Sequence, residues 1–120
     1  MVSYSIIEGV FVLQLSGEIN INSLTETRSK VDSFKLEQYP KIIIDLSKVS
    51  FFDSSGLGYL VVLIKQVKTN QGSIVFCSPN NLVKRLLSTI RIDKYVKIFD
   101  DLDEGLDYMQ NSSSGTPAAS

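Results

Sequence analysis

A short run of almost uninterrupted apolar and mostly β-branched residues near the middle of the chain constrains its fold most strongly. The run covers residues 41–46 (Lys-Ile-Ile-Ile-Asp-Leu) and follows Tyr39-Pro40, where proline disfavours a continuing helix. A strand with one face in water alternates apolar and polar residues, whereas a strand covered on both faces is apolar at nearly every position. The run therefore predicts the central strand of a sheet that is covered on both sides.

Strand and helix patterns alternate around this central run. Residues 2–7 and 10–15 are β-rich and separated by Glu8-Gly9, the spacing of an antiparallel hairpin. Apolar residues at helical spacing follow in four places, and short apolar runs predict two more strands. In chain order, the later elements are a helix that begins with the capping-box pattern Ser23-Leu24-Thr25-Glu26 and ends near Lys35, a helix over 54–68, a strand over 73–77, a helix marked by Leu82, Leu86, Leu87 and Ile90, a strand over 96–99, and a helix beginning within 100–103.

These elements predict an α/β fold. Strands that alternate with helices after residue 40 imply parallel pairing, while the opening hairpin adds antiparallel strands at one side. We expect a mixed four- to five-stranded sheet with an N-terminal antiparallel hairpin, parallel central strands and about four helices. A chain of 120 residues with 43% hydrophobic residues suits one domain. We assign that domain to residues 1–110 and predict that residues 111–120, rich in Ser, Gly, Thr, Pro and Ala, form a disordered tail.

The composition argues against several classes of function. The chain contains no histidine, which excludes a Ser-His-Asp triad and the commonest metal ligand. Twelve basic and thirteen acidic side chains give a net charge of -1, so we expect no direct binding of nucleic acid or of a membrane. Without a secretory signal or a spanning segment the chain is expected to be cytoplasmic, and Cys77 to be a buried hydrophobe. We therefore predict a protein-interaction module without catalytic residues, metal or cofactor.

The segment with the most chemical information joins the central strand to the second helix and reads Asp53-Ser54-Ser55-Gly56-Leu57-Gly58. Each glycine in the first turn of that helix costs ~1 kcal/mol relative to alanine, so a factor other than helix propensity selects them. One interpretation is structural: Gly58 lets the helix pack close to the sheet, and Ser54 or Asp53 caps it.

A second interpretation of the same segment is functional. A helix start made of small residues leaves the hydroxyl of Ser55 open to a kinase, and phosphorylation adds about -1.5 to -2 charges beside Asp53. Free amides at the helix N-terminus could accept the phosphate, so the fold would survive. A docked partner, in contrast, would meet a dianion that it must desolvate.

The chain resembles the STAS family, and specifically the small single-domain anti-anti-sigma factors of bacteria. The Asp-Ser-Ser-Gly-Leu-Gly motif carries most of the resemblance. The flanking matches are Leu15-Ser16-Gly17-Glu18-Ile19, Ile43-Ile44-Asp45-Leu46-Ser47-Lys48-Val49 leading to Phe52, and Ile92-Asp93-Lys94. Two departures are Asn20, where relatives often have an acid, and Arg91, where glycine is common.

The resemblance implies a phosphorylation switch. Ser55 would be phosphorylated by a partner anti-sigma factor that is itself a serine kinase using ATP, and restored by a serine phosphatase. The unphosphorylated chain would bind the anti-sigma factor and so release a sigma factor. In this interpretation Asp53 orients the loop and Ser54 belongs to the docking surface, and the remaining expected partner contacts are Glu18, Asn20, Gly56 and Leu57.

Four alternatives remain open. The chain could be a STAS subunit of another bacterial signalling complex, or a receiver-like switch phosphorylated on Asp53, although Glu18 is the only acid in the loop that would hold Mg²⁺. An enzyme would need Ser55 as nucleophile with Lys65 or Lys68 as base, but both lysines lie ~15 Å or farther from Ser55 along the helix axis.

A nucleotide-binding module is suggested only by Gly56 and Gly58, which match no phosphate-loop pattern. The sequence predicts no oligomeric state.

Overall fold

The fold is built around one mixed five-stranded sheet. A computed structural model of the chain describes residues 2–111. Its strands, in chain order, are β1 (Val2–Ile7), β2 (Val10–Ile19), β3 (Lys41–Phe52), β4 (Ser73–Cys77) and β5 (Lys97–Phe99). The helices are α1 (Leu24–Ser33), α2 (Ser54–Thr69), α3 (Asn81–Thr89) and α4 (Leu102–Asn111), with short 3-10 turns at Leu36–Gln38 and Ile92–Lys94.

The strands lie in the sheet in the same order as in the chain. β1 and β2 form the antiparallel hairpin, and the β2–β3, β3–β4 and β4–β5 pairs are parallel. The predicted α/β fold, with its hairpin, parallel centre and four helices, is confirmed for the part of the chain that the structure describes.

The central strand is covered on both faces, as its sequence predicts. Ile42 and Ile44 of β3 contribute to the larger core cluster, which α1, α2 and α3 cover. Ile43 points the other way, into a smaller cluster that includes Met109 of α4. All three isoleucines are fully buried. Because side chains alternate across a strand, one all-apolar run supplies both cores.

β2 and β3 are longer than the sequence predicted. The expected strands ended at residues 15 and 46, whereas the parallel pairing continues from Gln14–Asp45 to Ile19–Phe52 through two register shifts. In this extension Val49 and Phe52 are buried, while neighbouring serines and lysine face water. This mixture of apolar and polar residues is typical of a loop, but here it belongs to the ends of strands that are covered on one face only.

Two helices differ from their predicted patterns. α1 ends at Ser33, and Lys35 adopts a left-handed conformation with φ of 58°. In α3 the buried residues are Val83 and Leu87, whereas Leu82 and Ile90, two of the apolar residues whose spacing predicted the helix, are exposed. Asn111, the first residue of the predicted tail, is the last helical residue of α4. Residues 112–120 lie outside the described residues.

Cys77 is fully buried beneath α4, and burial raises the pKa of its thiol to about 12. Gly105 of α4 lies against it, and a Cβ on Gly105 would collide with Cys77 Sγ. The missing side chain at residue 105 therefore lets α4 approach the sheet closely.

We predict that Gly105→Ala destabilises the fold by about 1–3 kcal/mol, because the added methyl group overpacks this contact. In a Cys77→Ala background the same change should cost much less, since the colliding sulfur is gone. Gly58→Ala is the matched control: it is exposed, a Cβ there meets no atom within 4 Å, and it should be neutral or stabilising. Urea unfolding measures all four variants. Equal losses for Gly105→Ala in both backgrounds would contradict the packing explanation.

Candidate functional site

Asp53 connects the loop that leaves β3 to the loop that leaves β2. Its Oδ1 accepts a 2.8 Å hydrogen bond from the Gly56 amide, which caps α2. Its Oδ2 accepts a 3.0 Å bond from the Ile21 amide, and its own amide donates to the Ile19 carbonyl at 3.2 Å. The Gly56 amide is the main cause that holds the pKa of Asp53 below its ordinary value. The carboxylate is thus charged and bonded to both loops.

The second loop is held by a compact set of polar contacts. Asn20 Oδ1 accepts from the amides of Asn22 and Ser23, and Asn20 Nδ2 donates to Glu18 Oε1 at 3.2 Å. The Ser23 hydroxyl donates to the Glu18 carbonyl at 2.9 Å and accepts from the Asn20 amide. An asparagine therefore accepts as an acid would and also donates to Glu18, which a carboxylate could not do.

The predicted capping box of α1 is wrong. Ser23 occupies the N-cap position, but its side chain makes no capping bond to the helix. Its hydroxyl is instead used by the loop contacts to Glu18 and Asn20. Ser23 Oγ could cap the helix, but the loop contacts already use this oxygen.

Gly56, and not Gly58, is the glycine that brings α2 close to the sheet. A Cβ on Gly56 would collide with the Ile19 carbonyl oxygen and lie 3.0 Å from a Phe52 ring carbon. Around Gly58 there is no atom within 4 Å. Asp53, not Ser54, provides the cap. The structural interpretation of the motif was therefore correct in expecting a glycine at a close helix–sheet contact and a cap before α2. It was wrong in assigning the close contact to Gly58.

The predicted site residues gather at one edge of the sheet but differ in exposure. Ser54 and Glu18 are exposed, whereas Ser55 and Asn20 are half-buried. Gly56 is buried and Leu57 is 8% exposed. These two residues therefore pack beneath the surface and offer a partner little area to contact. The residue that carries the phosphorylation hypothesis, Ser55, is not enclosed in the core.

Three further residues at this edge were not among the predicted site residues. Ile21 is 65% exposed, directly beside the Asp53 contact, and Leu82 in the first turn of α3 is 45% exposed. Asn80 caps α3 through the Val83 amide and donates to the Val49 carbonyl, which attaches α3 to β3. The available signal was an apolar residue between two asparagines, Asn20-Ile21-Asn22, in an otherwise polar turn.

The geometry gives little support to the rival chemistries. Both carboxylate oxygens of Asp53 accept backbone hydrogen bonds, so phosphorylation of Asp53 would break the loop contacts. Lys68 Nζ donates to the Tyr95 carbonyl at 2.6 Å, away from Ser55. Across residues 2–111, no three His, Cys, Asp or Glu side chains lie close enough to hold a metal ion. Within the same range, no helix has the length and apolar character needed to cross a bilayer.

Known proteins resemble this chain in sequence and in fold. A Thermotoga neapolitana protein, named as a candidate anti-sigma factor antagonist, is 37% identical over 92% of this chain and 98% of its own length. The crystal structure of a candidate anti-sigma factor antagonist from Thermotoga maritima superposes with a TM-score of 0.83 at 33% identity, over 91% of this chain and 94% of that one.

A more distant structure shares the fold alone. The anti-sigma factor antagonist SpoIIAA in its unphosphorylated form has a TM-score of 0.65 at 18% identity, over 92% of this chain and 98% of that one. A structure of the Bacillus SpoIIAA in its phosphorylated form gives 0.67 at 17% identity, over 89% and 97% of the two chains. The STAS domain family model matches residues 1–105. Together with the relative of 37% identity, this match shows that the chain belongs to the STAS domain family.

Proposed function

We propose that this chain is an anti-sigma factor antagonist that is controlled by phosphorylation of Ser55. In the unphosphorylated state it binds an anti-sigma factor, which then releases a sigma factor. The observation that carries the proposal is the position of Ser55. It is half-buried on the first turn of α2, two residues after the charged Asp53, which bonds this turn to the loop after β2. The names of the Thermotoga neapolitana relative and of the Thermotoga maritima structure support the same class of function.

The edge around Ser55 suits a docking surface. Ser54 and Glu18 are exposed polar groups, and the exposed Ile21 adds an apolar contact of the kind that anchors interfaces. Because Asp53 and Asn20 already order both loops through backbone hydrogen bonds, little conformational entropy is lost when a partner binds. The surface is therefore pre-organised for a protein partner.

A phosphate on Ser55 would act on this surface and not on the core. It adds about -1.5 to -2 charges where Asp53 is already negative, so a docked partner faces like charge and a costly desolvation. The Gly56 amide is bonded to Asp53, so a phosphate on Ser55 would compete with that carboxylate for the amides at the start of α2. The phosphate therefore remains near the surface, where a partner meets it.

The proposal assigns the chemistry to partners. The anti-sigma factor would be a serine kinase that transfers the phosphoryl group from ATP, and a serine phosphatase would remove it. The chain itself would contribute the acceptor hydroxyl and act as a regulator, not as an enzyme. Such an exchange would take place in the bacterial cytoplasm.

We predict that Ser55→Ala folds normally and binds the anti-sigma factor constitutively, whereas Ser55→Asp binds at least about tenfold more weakly, a loss of ~1.4 kcal/mol. Ser5→Asp is the matched control, because it adds the same charge at an exposed position of β1, far from α2. Titration calorimetry with the anti-sigma factor measures the affinities. Equal binding of Ser55→Asp and wild type would refute the switch, and so would an equal loss in Ser5→Asp.

We also predict that Asp53→Ala lowers the free energy of unfolding by about 1–2 kcal/mol, because α2 loses its cap. The partner should bind more weakly too, since Ile21 loses its link to α2, and hydrogen exchange of the Ile21 and Gly56 amides should accelerate. The pKa of Asp53 is depressed, so its stabilisation is present above the ordinary value of 3.8 and is lost as the pH falls through the lower folded value.

The control for this variant is Asp107→Ala, which removes an exposed carboxylate from α4 and should change stability by less than ~0.5 kcal/mol. Protection of the Ile21 amide that is unchanged in Asp53→Ala would show that the loop is ordered by other contacts. Comparable losses of stability in Asp53→Ala and Asp107→Ala would show that the loss comes from the change in net charge and not from the missing cap.

A further inference from the structure

Arg28 of α1 is stacked on the ring of Tyr59 of α2. The guanidinium carbon lies 4.9 Å from the ring centroid, within the range of a cation–π contact. Arg28 is exposed, whereas Tyr59 is 2% exposed. Within residues 2–111, the only salt bridge joins Lys84 and Asp100, so Arg28 has no carboxylate partner there. The stacking thus holds a guanidinium group whose donors remain available.

The ring of Tyr59 provides a surface and not a hydrogen bond. Its hydroxyl is buried and has no hydrogen-bond partner among the described residues. Burial raises the pKa of Tyr59, so the phenol stays neutral and does not form an ion pair with Arg28. A neutral ring fixes the plane of the guanidinium without neutralising its charge.

This stacked pair lies next to Ser55. Tyr59 follows Ser55 by four residues on α2, so the two side chains share one face, with Cβ atoms about 5–6 Å apart. The bond between Ile21 and Asp53 shows that α1 and α2 begin at the same edge of the sheet. Side chains on a helix lean toward its N-terminus, which directs both Arg28 and Tyr59 toward the turn that contains Ser55.

A phosphate on Ser55 would need a positive partner at this place. The Gly56 amide is already bonded to the Asp53 carboxylate, and Glu18 adds a second carboxylate through its contact with Asn20. Arg28, over the ring of Tyr59, is the cation that the helix geometry directs toward Ser55. Lys65 and Lys68 are ten or more residues farther along α2, ~15 Å or more along the axis. An uncompensated dianion beside Asp53 would repel it and loosen the cap of α2.

We propose that Arg28 receives the phosphate of phosphorylated Ser55, with its guanidinium plane held in position by the ring of Tyr59. This inference rests on the proposed phosphorylation of Ser55 and adds the group that retains the phosphate. The planar fork of an arginine matches phosphate oxygens in a bidentate way, which a lysine cannot reproduce. Arg28 thereby keeps the fold intact in the phosphorylated state and fixes the dianion at the docking edge.

The test uses the chain with phosphoserine installed at residue 55 during translation, so that no kinase is required. Phosphorus NMR then follows the second ionisation of the phosphate. A nearby arginine favours the dianion, so we expect this pKa to lie roughly half a unit to one unit below the usual value near 6. Arg28→Gln should return the pKa to its usual value, and Arg28→Lys should restore only part of the shift.

The matched control is Lys30→Gln, which removes the same charge from the same helix at an exposed position two residues away, where side chains do not share a face. It should leave the phosphate pKa unchanged. Amide spectra of the unphosphorylated variants establish that each one is folded. Wild type and Arg28→Gln with the same phosphate pKa would overturn the inference, as would equal shifts in Arg28→Gln and Lys30→Gln.

The same samples separate this inference from the function on which it rests. A lowered phosphate pKa that depends on Arg28, together with an unchanged affinity for the anti-sigma factor, would keep the arginine contact and reject the switch. A weakened affinity with no effect of Arg28 on the phosphate would keep the switch and reject the arginine contact.

Discussion

One carboxylate determines the geometry on which the site depends. Asp53 accepts hydrogen bonds from Gly56, which starts α2, and from Ile21, which belongs to the loop after β2. The position of Asp53 follows from the extended parallel pairing of β2 with β3, which ends at the Ile19–Phe52 pair immediately before it. Sheet register, helix start and loop position are therefore fixed together at one point.

Close backbone approach makes this arrangement possible. Gly56 brings α2 against the carbonyl of Ile19, and any larger residue there would push the helix away from β2. On the opposite face of the sheet, Gly105 plays the same role for α4 above Cys77. With helices on both faces, the loops at the carboxyl ends of the strands remain as a working edge, as in other open α/β sheets. Ser55 lies on that edge.

Local patterns in the sequence predicted much of this fold and site. The apolar run of β3, the opening hairpin and the small residues from Asp53 to Gly58 each carry a strong local signal, and all three identified the correct elements. The extensions of β2 and β3 were missed because their partner lies about 30 residues away in the chain, and pairing at that distance leaves no local pattern.

Other errors have the same origin in tertiary contacts. Ser23 fits a helix cap until the loop contacts to Glu18 and Asn20 are known. The choice between Gly56 and Gly58 depends on which of them faces the sheet, a rotation that sequence spacing leaves open. The Arg28–Tyr59 pair joins two helices that the sequence could not place side by side. The sequence therefore indicated which residues matter, but not which residues they contact in the folded chain.

We propose that charge on one half-buried hydroxyl, that of Ser55, controls docking without altering the fold. The most direct measurement compares the affinity of the anti-sigma factor for two samples of the native sequence, one unmodified and one fully phosphorylated on Ser55, with amide NMR spectra of both. We expect at least about tenfold weaker binding after phosphorylation, with spectral changes confined to the loops around Asp53 and the first turns of α1 and α2. Equal affinities, or loss of binding together with general unfolding, would contradict it.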